Sequence, residues 1–223
     1  MGGKPQAYPR LRRRPDNIAT ILCQFFADFG KAMAKGDLFV KLTLIWWGAG
    51  CLRRKQYAKA LILTLLEAGV IWFTCGFAMA YVPKFATLGT VQAQQVFNMQ
   101  TMQSEWNDYD NSFMILLFSL FSFVVWAAAL VLCMKSVIGA YRLQFDSQNG
   151  LHINSFREDL QEYLDQKFHI TLLSLPVLGI VIFTLIPILL LILVAFTNYD
   201  QQHMPPTNLF RWVGLTNFAT LFG

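Results

Sequence analysis

Charge is scarce in this sequence. Of 223 residues only 14% are Asp, Glu, Lys or Arg, where a soluble domain carries about a quarter. An ordinary water-soluble globule is thereby excluded. What replaces charge is apolar: 55% of the residues are hydrophobic, 15% are aromatic, and the mean hydropathy is +0.43. Cysteine and histidine are also sparse. Cys23, Cys51, Cys75 and Cys133 have no CxxC or metal-like spacing, and His152, His169 and His203 are scattered, so neither a disulfide framework nor a metal site is expected. Gly-x-Ser-x-Gly and P-loop patterns are missing too, and no catalysis or cofactor is expected of this chain.

The uncharged stretches themselves are long. A helix crosses the hydrocarbon core of a bilayer with roughly 20 apolar residues, and three runs reach that length: 60–83, which contains Glu67, and 112–134 and 170–196, which contain no charge. Lipid offers nothing to an unpaired backbone amide, and no ten-residue alternation points to a barrel. The expected fold is therefore an all-α integral membrane protein with three transmembrane helices. A fourth run, 38–52, LFVKLTLIWWGAGCL, is short, carries Lys41 and ends in a Gly-x-Gly break. It reads as a short span or, better, as an interfacial or re-entrant segment with Trp46 and Trp47 at headgroup level.

The cations decide between those two readings and set the orientation. Of the 18 Lys and Arg residues, twelve lie at or before Lys59 and four (Lys135, Arg142, Arg157, Lys167) between the second and third runs, leaving Lys84 and Arg211 for the other side. If only the three long runs span, sixteen cations share one side against two, which puts the N-terminus in the cytoplasm and residue 223 outside. A span at 38–52 would split the Arg12–Arg14 cluster from Arg53 to Lys59. The expected order is thus a basic cytoplasmic segment 1–37, extracellular loops at 84–111 and 197–223, and a cytoplasmic loop 135–169. The basic N-terminus, YPRLRRRP, reads as a topology signal and not as a nucleic-acid patch.

Two local features carry more. Glu67 is the one charged residue inside the three long runs. By the insertion scale a charge at a helix centre costs about 3 kcal/mol, which the surrounding apolar residues return at about 0.5 each. Insertion survives, but Glu67 is expected to face protein, either paired with a basic residue such as Arg53, Arg54 or Lys59 or serving ion coupling. The second feature, SFREDLQEYLDQKF at 155–168, starts with a Ser155/Glu158 capping box. Its apolar residues recur at helical spacing, so a cytoplasmic amphipathic helix is expected there, continuing into the third span. Pro176, Gly179 and Pro187 in that span predict a kinked helix packed in a bundle.

The third span ends on AFTNYD, residues 195–200. The pattern Gly179, Phe183, Pro187 followed by Ala195, Phe196, Thr197, Asn198 and Tyr199 resembles the third helix of MalF-type permease subunits of maltose and maltodextrin ABC importers. RWVGLTNFATLF, with Trp212, Gly214, Asn217 and Phe218, is similar to a segment common to binding-protein-dependent sugar permeases. KLTLIWWGAGCLRRKQYAKALILTLLE resembles the early part of the version found in Gram-positive bacteria. The resemblance covers nearly all of 38–223. It implies a second permease subunit, cytoplasmic ATPase subunits, an extracellular solute-binding protein and a bacterial plasma membrane. It also implies a late ATPase-docking EAA-x3-G loop and later sugar-contacting helices. These residues hold neither, so the chain is expected to be an N-terminal fragment, and no substrate-binding residue carries over. A small membrane scaffold or assembly protein without transport activity is the alternative.

Overall fold

The computed structural model describes residues 17–100, 102–153, 155–161, 168–205 and 208–222. In chain order the elements are α1 (Ile18–Lys35), α2 (Leu38–Leu42), α3 (Ala49–Leu52), α4 (Tyr57–Phe73), α5 (Met79–Tyr81), β1 (Gln95–Asn98), β2 (Gln103–Trp106), α6 (Ser112–Gln148), α7 (Phe156–Gln161), α8 (Phe168–Ile180), α9 (Ile186–Val194) and α10 (Thr216–Phe222). Wider π turns at Thr74–Ala78 and Val181–Leu185 join α4 to α5 and α8 to α9. Three helical stretches are long and apolar enough to cross a membrane: Tyr57–Lys84, Ser112–Gln148 and Leu172–Val194. The protein is a mostly helical membrane protein, with one small hairpin as its only sheet among the described residues.

The chain divides into two compact units. One draws on the chain up to Ile71 and on Trp126–Thr171, the other on Trp72–Val125 and the chain from Leu172 onward. In the first, α1 was not foreseen: the expected basic segment 1–37 contains an 18-residue helix whose buried Ala32 packs with Val40, Val137 and Ala140. Phe29 and Met33, three residues before and one after Ala32, extend that contact along the same face. The Arg10 and Arg12–Arg14 cations lie outside the described residues. A second small core joins Trp47 to Ala129 and Cys133, with Leu63 and Val70 against it.

The second unit has the larger core, built from Leu88, Leu116, Leu120, Ile186, Leu190 and Phe210. Rings of Phe77, Tyr81, Phe118 and Phe121 stack edge to face beside it, with centroids 4.8–6.5 Å apart. Such pairs add about 1 kcal/mol each beyond their burial.

Three boundaries differ from expectation. α6 does not stop at Met134 but runs 37 residues to Gln148, about 55 Å at 1.5 Å per residue, well beyond a hydrocarbon core of about 30 Å. The loop expected at 135–169 thus begins as helix, because KSVIGAYRLQFDSQ contains no proline. Gly150, at φ +63, then ends it in the left-handed conformation that L residues resist. The loop expected at 84–111 holds an antiparallel hairpin, β1 to β2, with Val96, Phe97 and Trp106 exposed. Of the amphipathic helix expected at 155–168, α7 covers Phe156–Gln161, and 162–167 lie outside the described residues. Its capping box is present: Ser155 N–H donates to Glu158 at 2.7 Å, and Glu158 N–H to Ser155 Oγ at 3.4 Å. The Ser155 N–H and His152 hold the Glu158 carboxyl below its usual pKa.

The third span leaves α geometry just before Pro187, whereas α8 runs unbroken through Pro176. Pro187 has no N–H for the carbonyl of Phe183, four residues back, and the π turn at Val181–Leu185 lies over that gap.

Candidate functional site

The motifs that drew attention in the sequence meet in space. At the end of α9 the helix unwinds at Ala195, and the strand-like Phe196–Asn198 pairs with Arg211–Gly214. Thr197 and Trp212 form an antiparallel bridge. Val213 N–H and Gly214 N–H both donate to Phe196 O, at 2.9 and 3.1 Å, and Asn198 N–H donates to Arg211 O at 3.1 Å. Side chains close the pairing. Asn198 Oδ1 accepts from Arg211 N–H at 2.6 Å, and Asn217 Nδ2 donates to both Ala195 O and Thr197 O, at 2.9 and 2.7 Å. The last carbonyls of a helix need donors from outside it, and Asn217 supplies them to residues just past α9. Gly214 sits at φ +63, where a Cβ would be strained. We call this arrangement the clasp.

Its apolar side is anchored within the same unit. Trp212 Nε1 donates to Phe85 O at 3.0 Å and its ring lies against Phe85 at 5.4 Å; Phe196 meets Phe218 at 5.3 Å and Tyr199 meets the buried Phe210 at 5.4 Å. Phe85 follows the first span, whose last residue, Lys84, pairs with Asp110 at 2.7 Å. Asp110 also accepts from Thr90 N–H and Val91 N–H, at 2.9 and 3.2 Å. Burial alone would push the Asp110 pKa up, but the Lys84 ammonium and these two amides hold it below the usual carboxylate value. At Asp200, His203 and its backbone N–H do the same on the exposed surface.

The clasp therefore unites Ala195, Phe196, Thr197, Asn198, Tyr199, Trp212, Gly214, Asn217 and Phe218. It does not include Gly179, Phe183 and Pro187, which lie up the helix. Phe183 is 81% exposed and Gly179 has open space around it, so those positions form an uncovered face. A polar cavity of about 540 Å³ adjoins the clasp, lined by Gln92, Gln202, His203, Asn208 and Arg211 among others. No sequence signal marked it, because its amides come from loops far apart in the chain.

Glu67 organises a second place. Segment 38–52 is two short helices about a turn, too broken to cross a bilayer as one helix. Its irregular backbone is satisfied by side chains of the long helices. Glu67 Oε2 accepts from Trp47 N–H at 2.9 Å, Ser136 Oγ donates to Trp47 O at 2.8 Å, and Trp46 Nε1 donates to Thr64 Oγ1 at 2.8 Å. Nonhelical backbone survives at membrane depth only when protein supplies its partners. Of the basic residues expected near Glu67, Arg54 bonds Asp37 at 3.0 Å and Gly50 O at 2.9 Å, and Arg53 lies over the Phe39 ring. Trp47 N–H lies in the turn and donates to no backbone carbonyl, and it takes the carboxylate. Among the described residues no cluster of His, Cys, Asp or Glu can hold a metal, and all four cysteines are free thiols.

No protein-family profile matches the chain, and no solved structure matches it. Curated proteins do. The maltodextrin transport system permease protein MalC of Streptococcus pneumoniae serotype 4 is 26% identical over 176 residues, covering 78% of this chain and 37% of that protein. The maltodextrin transport system permease protein MdxF of Bacillus subtilis is 25% identical over the same shares. The galactooligosaccharides transport system permease protein GanP of Bacillus subtilis is 27% identical over 78% of this chain and 38% of GanP. The chain thus spans little more than a third of the length of these relatives. A helical membrane chain whose AFTNYD and WVGLTNF motifs join in one clasp is thus similar, over 176 residues, to permease proteins of maltodextrin and galactooligosaccharide transport systems.

Proposed function

We propose that this chain forms early membrane spans of the permease subunit of a binding-protein-dependent ABC importer for maltodextrins or related oligosaccharides. The observation that carries the reading is the relation over 176 residues to permease proteins of maltodextrin and galactooligosaccharide systems. In this reading the chain has no catalysis of its own. Separate cytoplasmic ATPase subunits power transport, a second permease subunit completes the pathway, and an extracellular solute-binding protein delivers sugar. The uncovered face of the third span, with Phe183 outward, supports a helix that packs on further protein. The excess of cations before Lys59 and between the second and third spans supports a cytoplasmic N-terminus and an extracellular residue 223, in the bacterial plasma membrane.

Uptake tests the function directly. Deleting the gene that carries this sequence should abolish uptake of labelled maltodextrin, galactooligosaccharide or both, and restoring the gene should return it. Unchanged uptake of every oligosaccharide would overturn the reading in favour of a membrane scaffold. A periplasmic-type reporter fused after Gly223 should be active; an inactive one would reverse the orientation.

A further inference from the structure

Within the first unit, α1 and α6 enclose a cavity of about 420 Å³ lined by Phe25, Asp28, Lys135, Ile138, Gly139 and Arg142. That volume lies within the roughly 300–1,000 Å³ range of small-molecule sites. Lys135 is the first charge after 23 uncharged residues of α6, about 34 Å of helix, so it emerges where the hydrocarbon core gives way to headgroups. Among the described residues no carboxylate pairs with it. Its neighbours on the same helix face are mixed in a particular order. Val131 and Leu132, one turn back, are 43% and 41% exposed, while Arg142 lies two turns on. Gly139 between them adds no side chain, and nothing stands within 4 Å of where its Cβ would be. The other wall, α1, exposes Ile21, Leu22 and Phe26.

The face therefore runs from bare apolar surface into a cavity with two cations. We propose that this cavity seats the headgroup of an anionic phospholipid, its phosphate held by Lys135 and Arg142 and an acyl chain lying along Val131 and Leu132. Asp28 opposes an anion, but it is already engaged by Arg142 and Lys31, each at 3.6 Å, and the lining keeps a net positive charge. A soluble phosphate would leave the adjoining apolar strip bare, whereas an anionic lipid covers both. Phosphatidylcholine would bring its own cation against Lys135. This inference needs only that the protein lie in a membrane, and it is independent of which sugar is carried.

Native mass spectrometry of the full chain, released from mixed phosphatidylglycerol and phosphatidylcholine micelles, reads the bound lipid. The wild type should retain phosphatidylglycerol over phosphatidylcholine by about tenfold, worth 1.4 kcal/mol. Lys135→Gln should bring that ratio near parity. Gly139→Leu should do the same with every charge in place, and circular dichroism checks that each variant remains helical. Lys41→Gln, away from the cavity, should leave the ratio unchanged. Retention of the wild-type ratio in both Lys135→Gln and Gly139→Leu overturns the proposal. So does inorganic phosphate that displaces the lipid at millimolar concentration, since the site would then be one for a soluble anion.

Discussion

The turn at 43–48 and the clasp at 195–217 are two irregular stretches held in opposite ways. The turn at 43–48 is pinned from the side: Glu67, Ser136 and Thr64 reach out from long helices to the backbone and rings of Trp46 and Trp47. The clasp at 195–217 is held by its own backbone, in a short antiparallel pairing that Asn198 and Asn217 complete. The difference follows from surroundings. Trp47 is buried, 7% exposed, so its N–H has no water to fall back on. Ala195, Asn198 and Asn217 are partly or fully exposed, and a lost bond there is replaced by solvent. A charge is spent where the environment is dry, and amides suffice where it is wet.

Substitutions should separate the two regimes. The largest effect is expected at Glu67. Glu67→Leu leaves the Trp47 amide unsatisfied and should cost about 2–3 kcal/mol in thermal unfolding of the detergent-solubilised protein, while Glu67→Gln keeps an acceptor and costs about 1. Membrane insertion should move the other way, since removing the charge favours it. Equal losses for Leu and Gln would show that the carboxylate does not hold Trp47.

Asp110 comes next. Asp110→Ala should cost about 2 kcal/mol, reduced by the solvent exposure of Lys84. Because the folded-state pKa of Asp110 is depressed, its contribution is present above the unfolded value near 4 and is lost as pH falls through the folded one. The stability difference between wild type and Asp110→Asn should therefore shrink below pH 4. A difference that stays constant down to pH 2 would remove Asp110 from the account.

Inside the clasp the effects are smaller. Gly214→Ala forces a Cβ into the left-handed region at about 1–2 kcal/mol, and Gly214→Asn should cost less, because Asn tolerates that conformation. Smallest is Asn217→Ala, at about 1 kcal/mol, since the freed Ala195 carbonyl lies on an exposed residue, although Thr197 is buried. Its clearer signature is faster amide hydrogen exchange across 196–214 with no change around Trp47. Protection lost at both places would mean that the two stretches are not held separately.

Much of this was open to a reading of residues alone. Three long apolar runs, one of them carrying Glu67, read as helices in lipid, whereas the turn at 43–48 that divides 38–52 has no mark in the sequence: Gly48 and Gly50 lie at the start of α3. AFTNYD and RWVGLTNF stood out as motifs, but their pairing did not, because nothing local says which backbone another backbone will meet. The Trp47 amide as a partner of Glu67 is hidden for the same reason: sequence distance points to basic residues nearby, and only the folded chain brings that N–H to the carboxylate. α1 escaped notice because its helical spacing is mixed with polar residues and has no capping hydrogen bond at Asn17. The hairpin at 95–106 escaped because its strands are four residues each.

What the sequence determined by itself is the solvent: too little charge for water and enough uninterrupted apolar length for three crossings, a consequence of composition that needs no partner. What only the tertiary structure decided is how the interrupted backbone finds its hydrogen bonds. Those bonds run between residues 13 to 127 positions apart, and only packing brings such groups to about 3 Å of each other.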